Sequence, residues 1–266
     1  MLVEFFSELS PLLQTVLAST FGFLVTGLGA AIVFLFAKPN KKVFACLLAV
    51  AAGVMVASSI FSLILPSIEM GELVYGMGWF TASLGFTLGA LYIVAVDYMV
   101  EAANKRKRLF KTAERKQAFL LFASITTHNV AEGMVIGVAF AAAAMTDSTT
   151  TIVGAILLAF GIAVQNFPEG AAVSLPMYSY GHSKPAAFLY GALSAIVEPV
   201  FAIAAFLLAS LAVPLMPFLL SFGAGAMIGV VLSELIPDAI KGSRNLTILM
   251  FCAGFIFMMI LDVVLG

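Results

Sequence analysis

Long apolar runs, separated by short polar breaks, constrain this chain more than any other feature of its sequence. A membrane-spanning helix needs about 20 consecutive, mainly apolar residues, and eight runs of this kind follow one another along the 266 residues. Hydrophobic residues make up 62% of the chain and charged residues 10%, against about 45–50% and about 25% in soluble globular domains. This composition excludes a water-soluble enzyme, a nucleic-acid-binding protein and a disordered protein. It predicts an all-α polytopic membrane protein in which residues 1–266 form a single transmembrane domain. The eight predicted spans cover about residues 11–36, 43–65, 75–98, 118–145, 149–178, 185–210, 214–238 and 246–265.

The positive charges fall in alternate connections between these runs. All 13 Lys and Arg residues follow the first, third, fifth or seventh predicted span, and the other connections contain none. Lys and Arg accumulate in cytoplasmic loops when a membrane protein is inserted. We therefore expect an even number of spans with both termini on the extracytoplasmic side.

Few ionisable residues lie in the middle of the predicted spans, and none of them is Lys or Arg. A charged side chain at the centre of a bilayer costs roughly 2.5–3.5 kcal/mol on insertion scales. Because no Lys or Arg lies at this depth, the carboxylates are either protonated or hold a cation from outside. At 1.5 Å per helical residue, Glu132, Glu169 and Glu198 lie roughly 21, 14 and 20 Å from the cytoplasmic ends of their spans. The three glutamates can therefore meet in one layer. The mid-span polar residues are His128, Asn129, Glu132, Gln165, Asn166, Glu169 and Glu198.

The spacing of these residues repeats between two consecutive spans. The fourth span reads His-Asn-Val-Ala-Glu-Gly over 128–133, and the fifth reads Gln-Asn-Phe-Pro-Glu-Gly over 165–170. In both, the first residue and the glutamate are four apart and therefore share one helix face. Consecutive spans run in opposite directions, and inverted repeats with a binding site near the midplane are typical of secondary transporters.

Glycine and proline flank the acidic residues. Gly133 and Gly170 each follow a glutamate, and we expect them to let the fourth and fifth spans approach each other closely. Pro199 follows Glu198. It either kinks the helix for packing or frees the carbonyl of Ala195 as a further oxygen ligand, because proline has no backbone N–H.

This set of side chains favours a divalent transition metal. Zn²⁺ binds His nitrogen and carboxylate oxygen, whereas Mg²⁺ does not favour histidine as a ligand. Two alternatives from other classes stay open: an intramembrane metal-dependent hydrolase, and a proton-linked transporter of another solute. The chain has no His-Glu-x-x-His motif, which argues against the hydrolase, and no buried Lys or Arg, which argues against an anionic solute.

The paired motifs over 128–133 and 165–170, on the fourth and fifth of eight spans, resemble those of the ZIP (Zrt-, Irt-like) metal transporters, and the short, His-poor chain is similar to their bacterial GufA-like branch. The resemblance implies a 3+2+3 arrangement in which the first three spans are related by inversion to the last three. A faint repeat agrees with this: Ser-Leu-Ile-Leu-Pro over 62–66 and Ser-Glu-Leu-Ile-Pro over 233–237. The resemblance also implies alternating access and movement of Zn²⁺ into the cytoplasm. Fe²⁺, Mn²⁺, Co²⁺ and Cd²⁺ are further candidate substrates, and no catalytic cofactor is expected.

The resemblance further implies a two-metal site. Many ZIP proteins have His at the position of Gln165 and some have Asp at that of Asn166, so we expect more weakly binding, oxygen-rich positions here. One metal position would be formed by His128, Glu132, Gln165 and Glu169, and the other by Asn129, Glu132, Asn166, Glu169 and Glu198.

Three residues at outer span ends form a candidate entrance: Ser62, Glu69 and Asp262. As partners we expect divalent metal ions and the lipid bilayer, but no nucleic acid, and a homodimer is one assembly to be tested. The expected location is the plasma membrane, which is the inner membrane in a bacterium.

Overall fold

The computed structural model describes residues 6, 8–35, 41–107, 113–146 and 149–265, and no strand occurs among them. Residue 36, the predicted end of the first span, lies outside the described residues. The α-helices are Pro11–Ala30, Lys41–Ser58, Leu65–Tyr75, Gly78–Lys107, Ala113–Thr146, Thr149–Ser179, Lys184–Leu193, Val197–Leu207, Ala209–Val230, Ile236–Ile240 and Arg244–Leu265, with a 3₁₀-helix over Ala31–Leu35 and π-helices over Ser59–Ile64 and Val231–Leu235.

Eight helical stretches in the described part of the chain are long and apolar enough to cross a membrane. The predicted all-α fold with eight spans is therefore confirmed for these residues, whereas the position of the termini and the 3+2+3 arrangement stay predictions. In chain order, the first to eighth spans are Pro11–Leu35, Lys42–Tyr75, Gly78–Ala103, Leu121–Met145, Ile152–Ser179, Lys184–Leu207, Leu211–Ile240 and Arg244–Val264.

The second span continues beyond the end near residue 65 that the sequence predicts. A π-helix over Ser59–Ile64 leads into an α-helix over Leu65–Tyr75, which stops at Gly76 with a φ of 66°. Glycine adopts this left-handed conformation without the steric cost of a Cβ atom. The prediction ended the helix where the sequence turns polar, at Glu69, but polarity alone does not break a helix. The helix ends at the glycine.

The spans pack as two groups of four. The first, fourth, fifth and sixth spans form one group, which carries all seven mid-span polar residues, and we call it the site bundle. The second, third, seventh and eighth spans form the other, the flanking bundle. The bundles meet mainly where the seventh span contacts the fourth and the second contacts the fifth.

Glycines bring the helices within each bundle into close contact. A Cβ atom on Gly133 would lie 2.4 Å from the carbonyl oxygen of Glu198 in the sixth span, and one on Gly170 would lie 2.0 Å from that of Thr26 in the first. The expectation that Gly133 and Gly170 bring the fourth and fifth spans together is therefore wrong. The two glycines lie on helix faces that pack against different neighbours.

The flanking bundle contains two irregular spans with a common pattern. The π-helix Ser59–Ile64 precedes Pro66 in the second span, and Val231–Leu235 precedes Pro237 in the seventh. A π-helix widens one turn of a helix and is frequent at functional sites. Both irregularities lie in the segments that repeat in the sequence.

Candidate metal centre

Three side chains with metal-ligand chemistry meet in the middle of the site bundle. His128 Nε2 lies 2.8 Å from Glu132 Oε1 and 3.5 Å from Glu169 Oε1. One ligand atom from each residue lies within 4.8 Å of the other two, and each residue is 1% exposed. In the described part of the chain, no Lys or Arg forms an ion pair with either glutamate. The cluster therefore combines an imidazole with two carboxylates that lack a Lys or Arg partner among the described residues.

Two asparagines direct their amide nitrogens away from this cluster. Asn166 Nδ2 donates to both carboxylate oxygens of Glu198, each at 2.9 Å. Asn129 Nδ2 donates to the carbonyl oxygen of Ser194 at 3.0 Å. In both residues the Oδ1 atom is buried and has no hydrogen-bond partner in the part of the chain that the structure describes. These oxygens can serve as ligands because the nitrogen ends of the amides are already fixed.

Buried polar atoms without a hydrogen-bond partner are concentrated in this region. A buried, unsatisfied polar group ordinarily costs about 1–3 kcal/mol, and native proteins have only a few of them. A cation needs several acceptor atoms at once. A group of buried oxygen atoms without hydrogen-bond partners therefore suits a cation. The unsatisfied atoms here are His128 Nδ1, Asn129 Oδ1, Glu132 Oε2, Gln165 Nε2, Asn166 Oδ1 and both carboxylate oxygens of Glu169.

Glu198 reaches the site from a break in the sixth span. The helix stops at Leu193 and restarts at Val197, with a turn over residues 194–196. Glu198 is fully buried, and its backbone N–H donates to the carbonyl oxygen of Ala195 at 3.0 Å. Pro199 was expected to leave the Ala195 carbonyl without a backbone donor, but this carbonyl accepts the Glu198 N–H within the turn.

A glycine of the first span closes the site beside Glu198, which the sequence analysis did not identify. A Cβ atom on Gly22 would lie 2.7 Å from Glu198 Oε2 and 3.3 Å from Asn166 Nδ2. Only a residue without a side chain lets the first span approach the carboxylate this closely. Nothing in a single sequence distinguishes Gly22 from the other glycines of the spans.

Gln165 is linked to the second span by a serine that the sequence analysis also missed. Ser58 is fully buried, and its hydroxyl donates to Gln165 Oε1 at 2.7 Å. Ser62, one helical turn further on, donates to Asp262 Oδ1 at 2.7 Å. The available signal was the spacing, since Ser58 lies four residues before Ser62 and shares its helix face.

A cavity of about 380 Å³ joins the candidate entrance to the cluster. Its lining includes Ser62, Glu69 and Asp262 together with Glu132 and Gln165. Glu69 is exposed, whereas Glu132 is buried. The cavity thus leads from the end of the bundle that carries Glu69 to the buried ligands, and it brings the three entrance residues together.

A second cavity, of about 230 Å³, lies towards the opposite ends of the spans. Tyr92, Asp97, Ser233 and Glu234 contribute to its lining, and it shares no lining residue with the first cavity. The two cavities therefore approach the middle of the protein from opposite ends.

Eight apolar spans around a buried imidazole–carboxylate cluster define an integral, multi-pass membrane protein with a candidate divalent-cation site. The family model described as ZIP zinc transporter matches residues 101–262. The zinc transporter ZIP11 of Homo sapiens is 34% identical, over 97% of this chain and 98% of its own length. The zinc transporter GufA of Myxococcus xanthus is 32% identical, over 96% and 98%, and the zinc transporter ZIPB of Bordetella bronchiseptica is 33% identical, over 94% and 81%. The chain belongs to the ZIP zinc transporter family.

Membership of this family confirms the resemblance found in the sequence. It also agrees with the prediction of a transporter rather than an enzyme, since the relatives are named as transporters. The ligand roles of the seven mid-span residues, the entrance role of Ser62, Glu69 and Asp262, the single-domain organisation of residues 1–266 and the homodimer stay predictions.

Proposed function

We propose that this protein carries Zn²⁺ and related divalent metals across the membrane into the cytoplasm through the cluster of His128, Glu132 and Glu169. One observation carries the proposal: two buried carboxylates and an imidazole lie together without a Lys or Arg partner among the described residues. Burying a charge without compensation is costly. A divalent cation would compensate both carboxylates at once.

The geometry supports two metal positions that share Glu132 and Glu169. Among the described residues, Glu132 Oε2 and both Glu169 oxygens have no hydrogen-bond partner, so each carboxylate can bridge two ions. Glu198, held by Asn166, supplies a further carboxylate on the side of the first span. The first position consists of His128, Glu132, Gln165 and Glu169, and the second of Asn129, Glu132, Asn166, Glu169 and Glu198.

Zinc is the substrate that the ligand set and the named relatives favour together. Zn²⁺ accepts imidazole nitrogen and carboxylate oxygen in one site. The relatives described above are named zinc transporters. Other first-row divalent metals accept the same ligands, so Fe²⁺, Mn²⁺ and Co²⁺, and with them Cd²⁺, remain candidate substrates.

The charge distribution supports an orientation of the protein in the membrane. Lys and Arg follow only odd-numbered spans, which favours a cytoplasmic position for those connections and an extracytoplasmic one for both termini. The cavity at Glu69 then opens to the exterior, and Ser62, Glu69 and Asp262 line the entrance. The cavity lined by Asp97 and Glu234 lies on the cytoplasmic side and forms the exit.

Movement of the two bundles against each other provides alternating access. Some glycines pack so closely against another span that an added Cβ atom would lie 3.0 Å or less from the backbone of that span. In these cases both spans belong to the same bundle, for example at Gly133 in the site bundle and Gly53 in the flanking bundle. At the contact between bundles, Gly223 meets only side-chain atoms, at 3.3 Å or more. Each bundle is therefore tightly packed, and their contact is the place where sliding costs least.

Zinc flux into proteoliposomes tests this function. We expect wild-type protein to take up Zn²⁺, and Glu132→Ala or Glu169→Ala to abolish uptake while the protein is still inserted. Glu8→Ala, at an exposed residue before the first span, is the control and should retain uptake. Wild-type uptake in either cluster variant would refute the proposal, and cleavage of a membrane protein without metal flux would favour the hydrolase.

A further inference from the structure

We propose that Ser58 is a positioning residue for metal binding. Its hydroxyl holds the carboxamide of Gln165 so that the amide oxygen is fixed for the first metal position. The inference deepens the proposed function and rests on it, because it requires Gln165 to be a ligand.

The hydrogen bonds around Gln165 identify Ser58 as the group that orients the amide. A serine hydroxyl has one hydrogen to donate. Ser58 donates to Gln165 Oε1 at 2.7 Å, whereas Ser62 donates to Asp262 at 2.7 Å and lies 3.4 Å from Gln165 Oε1. Gln165 Nε2 has no hydrogen-bond partner among the described residues. Of the two hydroxyls near Gln165 Oε1, that of Ser58 therefore makes the closer contact and holds the amide oxygen in place.

This orientation matters because the two ends of a carboxamide differ in chemistry. The oxygen has two lone pairs, whereas the NH₂ group is a donor and cannot bind a metal cation. One lone pair of Gln165 Oε1 accepts the hydrogen bond from Ser58, and the other remains for the metal. Groups that hold a ligand in this way typically change metal affinity by 10–100-fold when removed.

The bond also crosses between the two bundles. Ser58 belongs to the second span, in the flanking bundle, and Gln165 to the fifth span, in the site bundle. Gln165 lines the cavity that leads from the Glu69 end, and Ser58 contacts Gln165. Ser58 therefore contacts the site when the protein is open at the Glu69 end. Its removal should weaken capture of the metal rather than lower the maximal rate of transport.

The test is the Zn²⁺ dependence of uptake in proteoliposomes. We expect Ser58→Ala to raise the half-saturating Zn²⁺ concentration about tenfold or more, with a maximal rate within about twofold of wild type. Ser58→Thr keeps the hydroxyl and should restore the wild-type value. Ser59→Ala is the matched control, because Ser59 is also fully buried but donates to Met55 O within its own helix at 2.8 Å. Equal effects of the two alanine variants would overturn the proposal.

A double substitution separates this inference from the function on which it rests. If Ser58 acts through Gln165, Ser58→Ala should add nothing in a Gln165→Ala protein, since residues that act as a unit are not additive. If Gln165→Ala raises the half-saturating concentration and Ser58→Ala does not, the positioning role alone is overturned. If Gln165→Ala has no effect, the ligand assignment fails and the role of Ser58 fails with it.

Discussion

Glu132 and Glu169 differ from ordinary buried acids in having no Lys or Arg partner among the described residues. One atom, His128 Nε2, lies 2.8 Å from Glu132 Oε1 and 3.5 Å from Glu169 Oε1. A single nitrogen at these distances does not form a full ion pair with both carboxylates. Glu198 is held differently, by two hydrogen bonds from Asn166. These contacts make Glu132 and Glu169 common to both proposed metal positions and Glu198 specific to the second.

Glu198→Gln is expected to remove the second metal position and to keep the first. The substitution removes a negative charge but keeps the size of the side chain, so packing against Gly22 is preserved. Titration of purified protein with Zn²⁺ should then show one bound ion per chain instead of two. Two ions bound by Glu198→Gln, or one ion bound by the wild type, would contradict the binuclear site.

At the scale of helices, residue spacing predicted which side chains share a helix face, whereas helix packing determines which of these faces meet. The i, i+4 pairs and the absence of mid-span Lys and Arg were sufficient to predict the meeting of His128, Glu132 and Glu169, because helix periodicity and the cost of buried charge are local properties. The neighbour of Gly133, the π-helix before Pro66 and the contact of Ser58 with Gln165 depend on which helices pack together. A single sequence does not contain that information.

Gly133→Ala tests the contact between the fourth and sixth spans. The added Cβ would lie 2.4 Å from Glu198 O and 2.8 Å from Glu198 Cα, so the helices must separate, at a cost of about 1–3 kcal/mol. We expect a lower melting temperature and reduced Zn²⁺ uptake. Gly154→Ala is the control, because no atom lies within 4 Å of its added Cβ. Unchanged melting and uptake in Gly133→Ala would argue against this packing.

At the scale of the whole molecule, side-chain hydrogen bonds link the bundles on both sides of the cluster. Ser58 contacts Gln165 where the cavity from the Glu69 end arrives. Near the other end, the hydroxyl of Tyr180, which follows the fifth span, donates to Asp238 Oδ2 of the seventh at 2.5 Å, and Lys241 donates to Asp238 Oδ1. The contact between Tyr180 and Asp238 holds the bundles together at the end that we assign to the cytoplasm.

Tyr180→Phe is therefore expected to favour the cytoplasm-open state. A hydrogen bond to a charged group contributes about 1.5–3 kcal/mol, which corresponds to a population shift of about tenfold or more. The readout is the rate at which a membrane-impermeant thiol reagent labels Val230→Cys from the cytoplasmic side, in a protein without Cys46 and Cys252, because Val230 lines the second cavity and is fully buried. Labelling should become faster in Tyr180→Phe.

The matched control for this experiment is Tyr75→Phe. Tyr75 donates to the carbonyl oxygen of Pro214 at 2.7 Å, and both residues belong to the flanking bundle. Loss of this bond should leave labelling unchanged. Equal labelling rates in wild type and Tyr180→Phe would show that the contact with Asp238 does not hold the cytoplasmic end closed.

The most direct test of the metal centre is anomalous X-ray scattering at the zinc edge, from crystals of the wild-type protein grown with Zn²⁺. We predict the strongest peak among His128, Glu132 and Glu169, about 2.0–2.2 Å from a histidine nitrogen and from carboxylate oxygens. Zinc peaks found only elsewhere on the protein, with none inside this cluster in excess Zn²⁺, would contradict the assignment.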